Sequence, residues 1–239
     1  MTIKRLLLLS NGSELVGEHP TEFAHGAARD FLGPKVRRVL FVPFATVVRT
    51  YDEYAARVHR NFRQMGYEVE SIHESSDARA SVERADAIAV GGGNTFHLLR
   101  GLYEAGVVEG VRMRVEAGAP YVGWSAGSNV ACPTIRTTND MPIVEPPTFN
   151  ALALVPFQIN PHYTDARLAG HMGETRDERL AEFVHANPGF AVVGLREGTM
   201  LRIEGADIRL IGALPARLFI KGEEPRDIAP EESFSFLLR

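Results

Sequence analysis

The stretch Tyr121-Val122-Gly123-Trp124-Ser125-Ala126-Gly127-Ser128-Asn129 carries the residue types and spacing most suited to chemistry. An apolar run enters it, two glycines bracket a serine, and a helix-compatible run leaves it. A strand that turns straight into a helix needs tiny residues two before and two after the bend, because larger side chains collide there with neighbouring backbone. The serine at the apex is then held out in a strained conformation where a substrate reaches it. The helix that follows aims its unpaired N–H groups and positive dipole end at the same spot, which suits a developing oxyanion. Ser125 is therefore a candidate nucleophile. The plain alternative is a tight turn with a capping serine, and the motif alone does not separate the two.

A serine hydroxyl is a weak nucleophile at neutral pH. It needs a base within hydrogen-bond reach and an acid to hold that base's tautomer. The chain has 8 histidines. His25, His59, His97, His171 and His185 fall in predicted helices or their approaches, and His19 and His73 in loops. His162 differs: it ends the short extended segment Pro156-Phe157-Gln158-Ile159-Asn160-Pro161-His162-Tyr163, which prolines fence. It is the candidate base, set against the alternative of a surface histidine. Two acids compete. Glu197 directly follows the buried run Phe190 to Leu195, which puts it on the expected functional edge, whereas Asp140 lies in the proline-rich loop between Cys132 and Phe157. Cys132 falls inside the helix expected after the elbow and reads as a small buried hydrophobe. There is no His-Glu-x-x-His, no cysteine pair and no tight acidic loop, so neither a metal nor another cofactor is expected.

The surrounding elements must bring these residues to one place. Leu6 to Leu9, Val39 to Val42, Val69 to Ile72 and Ala87 to Val90 read as short buried strands. Helical patterns separate them: Thr21 to Leu32, then a helix opened by the capping box Thr50-Tyr51-Asp52-Glu53 with the stripe Tyr54, Val58, Phe62 and Met65, then Asp77 to Arg84. The fourth strand runs into Gly91-Gly92-Gly93-Asn94-Thr95, whose bare backbone suits either a phosphate cradle or an oxyanion-hole N–H. It matches neither the dinucleotide nor the Walker A fingerprint. A second capping box, Thr175-Arg176-Asp177-Glu178, opens a later helix. Alternation of this kind predicts a doubly wound, mainly parallel sheet with helices on both faces, with the site outside the strands' carboxyl ends. After Glu197, the runs Met200 to Ile203, Ile208 to Ile211, Leu218 to Ile220 and Phe234 to Leu238 predict a short antiparallel C-terminal β region.

With 239 residues, 45% of them hydrophobic, the chain can bury a full core and is expected to form a single α/β domain over 1–239. A formal net charge of −4 gives no general attraction for nucleic acid or anionic membrane, so neither is an expected partner. The lone cysteine cannot close an intrachain disulfide. The apolar run after Lys4-Arg5 is too short for a signal peptide, which leaves a cytoplasmic protein as the expectation.

Four blocks, Gly91 to Phe96, Gly123 to Asn129, Gln158 to Thr164 and Gly173 to Arg176, together resemble the dipeptidase E group, the α-aspartyl dipeptidases of serine peptidase family S51. The likeness runs in order from the first strand to about Gly198. It implies a fold related to the class I glutamine amidotransferases, with Ser125 as nucleophile, His162 as base and the N–H groups of Gly93 and Ala126 as oxyanion hole. For the third member it points to Glu197, with Asp140 also matching a position implicated in activity. Arg176 matches the position expected to recognise an N-terminal aspartate side chain, and Asn94 and Thr95 join it as candidate substrate contacts. The implied partner is a small Asp-Xaa peptide, acted on by a monomer or a homodimer. Ser128 departs from the alanine common there. Two other readings stay open: a cyanophycinase-like peptidase, and a non-catalytic small-molecule binding protein on the same scaffold.

Overall fold

Four consecutive leucines suit a strand covered on both faces, and in the computed structural model, which describes residues 3–166, 170 and 172–238, they are all buried. Leu6 and Leu8 join one apolar cluster and Leu7 and Leu9 another, as alternation across a strand requires. His171 lies outside the described residues.

Strands β1 (Arg5–Leu9), β2 (Arg38–Val42), β3 (Glu68–Ser71), β4 (Ala87–Val90) and β5 (Tyr121–Trp124) are mutually parallel. Next come β6 (Gln158–Tyr163) and β7 (Val192–Arg196), which pair in parallel with each other and not with the first five. The hairpin β8 (Met200–Glu204) and β9 (Asp207–Ile211) returns antiparallel along β1. This completes a seven-stranded sheet of order β3-β2-β4-β5-β1-β8-β9. Finally β10 (Ala216–Phe219) and β11 (Arg226–Ile228) add antiparallel strands to β7, giving a second sheet of order β11-β10-β7-β6.

Helices α1 (Ser13–Val16), α2 (Glu22–Leu32) and α3 (Tyr51–Gln64) cover one face of the large sheet, burying Leu15, Phe31 and Phe62 against Phe41 and Val122. On the other face lie α4 (Ala78–Arg84), α5 (Thr95–Glu104), α6 (Val108–Glu116) and the short α7 (Ala126–Val130). Ile159, Val193 and Leu218 of the second sheet belong to that same cluster, so the small sheet packs through its inner side onto the α5–α7 layer. Its outer side carries α8 (Arg176–Ala186), with Leu180 and Val184 against Val192 and Phe219.

The expected α/β architecture and both capping boxes are present. Three expectations need correction. The strand before Glu197 belongs to the second sheet, with β10 and β11 of the antiparallel C-terminal region. Cys132 lies beyond α7, which ends at Val130, though it is fully buried as expected. Phe234 to Leu238 ends in a 3₁₀ turn, Ser235–Leu238, because Phe234 and Leu237, three residues apart, both face the core. Among the described residues no helix is long and apolar enough to cross a membrane.

Burial pushes the Cys132 thiol up to about 12, and its sulfur accepts a bond from the Ile159 N–H at 3.1 Å. A thiolate-specific disulfide reagent at pH 8 is therefore expected to leave the native protein unlabelled and to label one thiol in denaturant. Rapid native labelling, read by absorbance, would show that the core beside β6 opens.

Candidate active site

Ser125 sits at the bend between β5 and α7 with φ 54° and ψ −114°, a conformation that L residues rarely adopt. Two glycines make the bend possible. A Cβ on Gly123 would lie 2.6 Å from the Gly127 carbonyl oxygen, and one on Gly127 would lie 2.1 Å from that of Val90. The Ser128 hydroxyl, in place of a methyl, donates to the Leu9 and Gly123 carbonyls at 2.7 and 2.9 Å. It ties the first turn of α7 to the ends of β1 and β5.

His162 reaches Ser125 from the second sheet. Its Nε2 is 2.7 Å from Ser125 Oγ, and its Nδ1 is 2.5 Å from Glu197 Oε1. The pairing of β6 with β7 shifts register between Asn160 and Tyr163, and His162 within that irregularity has φ 54°. Such a bulge re-aims one side chain while the strand continues. Pro161, which has no N–H to give to a ladder, is at home there. The His162 N–H instead donates to Ser10 Oγ at 3.0 Å, and that hydroxyl donates to the Leu195 carbonyl at 2.9 Å. Ser10, wholly buried at the end of β1, thus joins β6 and β7 of the small sheet to the large one. Glu197 is exposed, and Asp140 does not reach the imidazole.

Asp140 instead binds the start of α5. Its Oδ2 accepts from the Thr95 N–H at 2.7 Å, the Thr95 hydroxyl at 2.6 Å and the Thr138 hydroxyl at 3.1 Å. A carboxylate is favoured at a helix amino terminus. Asn94 caps the same helix through His97 N–H at 3.0 Å and donates to the Met141 carbonyl at 2.8 Å. The polar groups of Asn94 and Thr95 are therefore engaged within the protein, and Thr95 is buried.

The glycine loop passes directly over the elbow: a Cβ on Gly92 would lie 2.9 Å from that of Ser125. Trp124 Nε1 donates to the Tyr54 hydroxyl at 2.9 Å, which donates to the Gly92 carbonyl at 3.1 Å. Because the peptide is trans, this turns the Gly93 N–H away from that carbonyl. Gly93 has φ 142°, and any Cβ would strike the Ala45 carbonyl oxygen at 2.2 Å. Neither its N–H nor that of Ala126, first residue of α7, bonds another backbone carbonyl among the described residues.

Arg176 opens α8, and its Nη1 donates to Asn160 Oδ1 at 3.4 Å. Asn160 also donates to Asn139 Oδ1 at 2.7 Å, and Asn139 to the Pro161 carbonyl at 2.6 Å, linking Arg176 to the backbone beside His162. The Tyr163 hydroxyl donates to Asp177, which fixes the first turn of α8 against β6. No carboxylate pairs with Arg176 among the described residues. Burial, and secondarily Arg179, lowers its pKa.

Ser10, Asn139 and Asn160 are absent from the candidates the sequence offers for the site, and Tyr54 stands there only in a core-facing helical stripe. Ser10 was legible in principle, as the first polar residue at the carboxyl end of a buried parallel strand. The asparagines carry no local signal. One described cluster has metal-ligand composition, Asp52, His73 and Glu74, and shares no residue with this site.

The model of peptidase family S51 matches residues 6–211. A protein named peptidase E from Nostoc sp. is 50% identical over 235 residues, covering 98% of this chain and 97% of its own. A protein from Drosophila melanogaster, described as a probable alpha-aspartyl dipeptidase, is 48% identical over 242 residues, with both chains covered in full. The crystal structure of a peptidase from an acI-B1 Actinobacterium superposes with a TM-score of 0.72 at 16% identity, covering 98% of this chain and 97% of that one, which shows a shared fold.

Ser10→Ala leaves the Leu195 carbonyl and His162 N–H without their buried partner. The expected loss of stability is about 1–3 kcal/mol by denaturant unfolding. A change within error would mean that other contacts to the small sheet, such as Asn129 Nδ2 donating to the Ile159 carbonyl at 2.9 Å, hold the register without Ser10.

Proposed function

The chain belongs to peptidase family S51 and is a serine-type dipeptidase, and from that premise we propose that it hydrolyses dipeptides with an N-terminal aspartate through Ser125, His162 and Glu197. The observation that carries this reading is the unbroken series of contacts, Ser125 Oγ to His162 Nε2 at 2.7 Å and His162 Nδ1 to Glu197 Oε1 at 2.5 Å. All 239 residues are read as one hydrolytic domain. The elbow and glycine loop at the carboxyl ends of parallel strands support kinship with the class I glutamine amidotransferases, with serine in place of their cysteine.

In this mechanism Ser125 attacks the peptide carbonyl while His162 takes its proton, and Glu197 holds the imidazole in the tautomer that leaves Nε2 free to accept. The negative charge on the carbonyl oxygen settles on the N–H groups of Gly93 and Ala126. Losing one such donor typically costs roughly 3–4 kcal/mol. His162 then protonates the departing amine, the C–N bond breaks, and water repeats the cycle on the aspartyl ester to release aspartate. Asp140 serves this scheme indirectly, by fixing the exit of the glycine loop.

The aspartate side chain is assigned to Arg176. A planar fork matches a carboxylate in a way that a lysine cannot. A half-buried guanidinium with no counter-ion among the described residues also rejects neutral side chains, since they would shield it from water without pairing it. The Drosophila relative is described as a probable alpha-aspartyl dipeptidase, which supports an aspartyl substrate.

The expected substrate pattern is cleavage of Asp-Leu, with Asn-Leu, Glu-Leu and N-acetyl-Asp-Leu resistant and the rate unchanged by a chelator. Ser125→Ala should lower kcat by about 10⁶-fold. Arg176→Ala should lower kcat/KM for Asp-Leu by at least roughly 30-fold. Equal rates on Asn-Leu and Asp-Leu would refute the arginine assignment. Cyanophycin cleavage without Asp-Leu cleavage would refute the substrate class.

A further inference from the structure

A chamber of about 220 Å³ has both Ser125 and His162 in its wall, together with Gly92, Gly93, Tyr54 and Arg57. Past Tyr54, Arg57 and the glycine loop it adjoins a second, of about 590 Å³, which reaches Arg49, Val48 and Ile143. Arg176 lines neither chamber. Among the described residues lining the two, none is acidic, while Arg49 and Arg57 are cationic.

Arg57 has an unusual environment. Its Nε is buried with no hydrogen-bond partner, and no carboxylate pairs with it among the described residues. Its guanidinium lies over the ring of Tyr54, 5.2 Å from the centroid, which orients the group without neutralising it. Tyr54 is in turn fixed by Trp124 and Gly92, so Arg57 is held to the elbow and the glycine loop through one rigid aromatic. A buried donor without a partner costs free energy that a bound acceptor would recover.

The reaction says what belongs in this chamber. His162 must protonate the departing amine, so the residue that leaves lies beside the imidazole. One residue spans only about 3.5 Å of chain, so in a dipeptide the terminal carboxylate of that residue lies close by. We infer that Arg57 binds the terminal carboxylate of the leaving amino acid, and so restricts the enzyme to substrates that end one residue after the scissile bond. The inference rests on the aspartyl dipeptidase reading above. Arg176 then takes the side-chain carboxylate on the acyl side and Arg57 the main-chain carboxylate on the amine side. Val48 and Ile143, both exposed at the far chamber, offer apolar surface to the leaving side chain.

The test compares Asp-Leu, Asp-leucinamide and Asp-p-nitroanilide on wild type, Arg57→Ala and Arg57→Lys. Wild type should favour Asp-Leu over its amide by at least roughly 30-fold in kcat/KM. Arg57→Ala should abolish that preference, chiefly through KM, and its loss on Asp-Leu should exceed its loss on the anilide by tenfold or more. Arg57→Lys, with the charge but not the fork, should recover part of the preference. Equal losses on Asp-Leu and the anilide, or a wild type indifferent to amidation, would overturn the assignment of Arg57 while leaving the aspartyl reading intact. A wild type inactive on Asp-Leu and on the anilide would overturn both.

Discussion

The two groups whose contact the proposed mechanism requires are carried by different sheets. Ser125 stands at the end of β5 in the large sheet, His162 at a bulge in β6 of the small one, and no strand hydrogen bonds connect the two sheets. Their separation of 2.7 Å therefore depends on how one sheet is seated against the other. Apolar packing of Ile159, Val193 and Leu195 onto the α5–α7 layer supplies most of the adhesion, but packing is non-directional and tolerates sliding. The Ser10 hydroxyl supplies direction. It meets one backbone group from each strand that delivers a site residue, β6 through His162 N–H and β7 through the Leu195 carbonyl two residues before Glu197.

The same economy of fixed backbone recurs on the other side of the serine. Ser125 and His162 are two of three non-glycine residues with positive φ among those described. Conformations of this kind persist only where the surroundings over-determine them. Around Ser125 that role falls to Gly123, Gly127 and the hydroxyl of Ser128, around His162 to Pro161, Ser10 and Asn139. Asp140 and the Trp124–Tyr54–Gly92 series hold the two ends of the glycine loop in the same manner. Little in this site has to reorganise when charge develops, which is how preorganised donors stabilise a transition state.

Much of this was readable from local pattern. Buried parallel strands announce themselves as unbroken apolar runs, and the elbow, the glycine loop and both capping boxes are short-range devices whose residues lie within a few positions of each other. For Glu197 the local pattern is right about the strand end and wrong about the sheet. Glu197 does follow a strand directly, but that strand lies in the second sheet, and its meeting with His162 comes from the parallel pairing of β6 with β7 across an intervening helix. Sheet membership is a long-range property: Val192 to Leu195 is apolar on both faces whichever sheet it joins, so periodicity cannot assign it. Asp140 was held open for the opposite reason, since a loop of five prolines gives no direction, and the partners that occupy it, Thr95 and Thr138, are ordinary loop and cap residues. Ser10, Asn139 and Asn160 matter through single hydrogen bonds between segments distant in sequence, a relation that leaves no periodic trace.

The electrostatic arrangement also follows from the fold. Several arginines of the chain meet their acids on the outer surface, as Arg84 meets Glu70 and Arg100 meets Glu104. Exposed pairs of this type contribute little to stability. Arg176 and Arg57 differ in being partly withdrawn from water with no acid paired to them among the described residues, Arg57 where it lies over the ring of Tyr54. A protein selected for stability alone gains nothing from such groups, because each is desolvated without compensation. A site that must choose its ligand gains discrimination instead: an anion of the right shape restores what burial removed, whereas a neutral group displaces water and restores nothing. On the proposed assignment, Arg176 for the acyl side and Arg57 for the amine side, two such cations would favour a small ligand with an anionic group at each end.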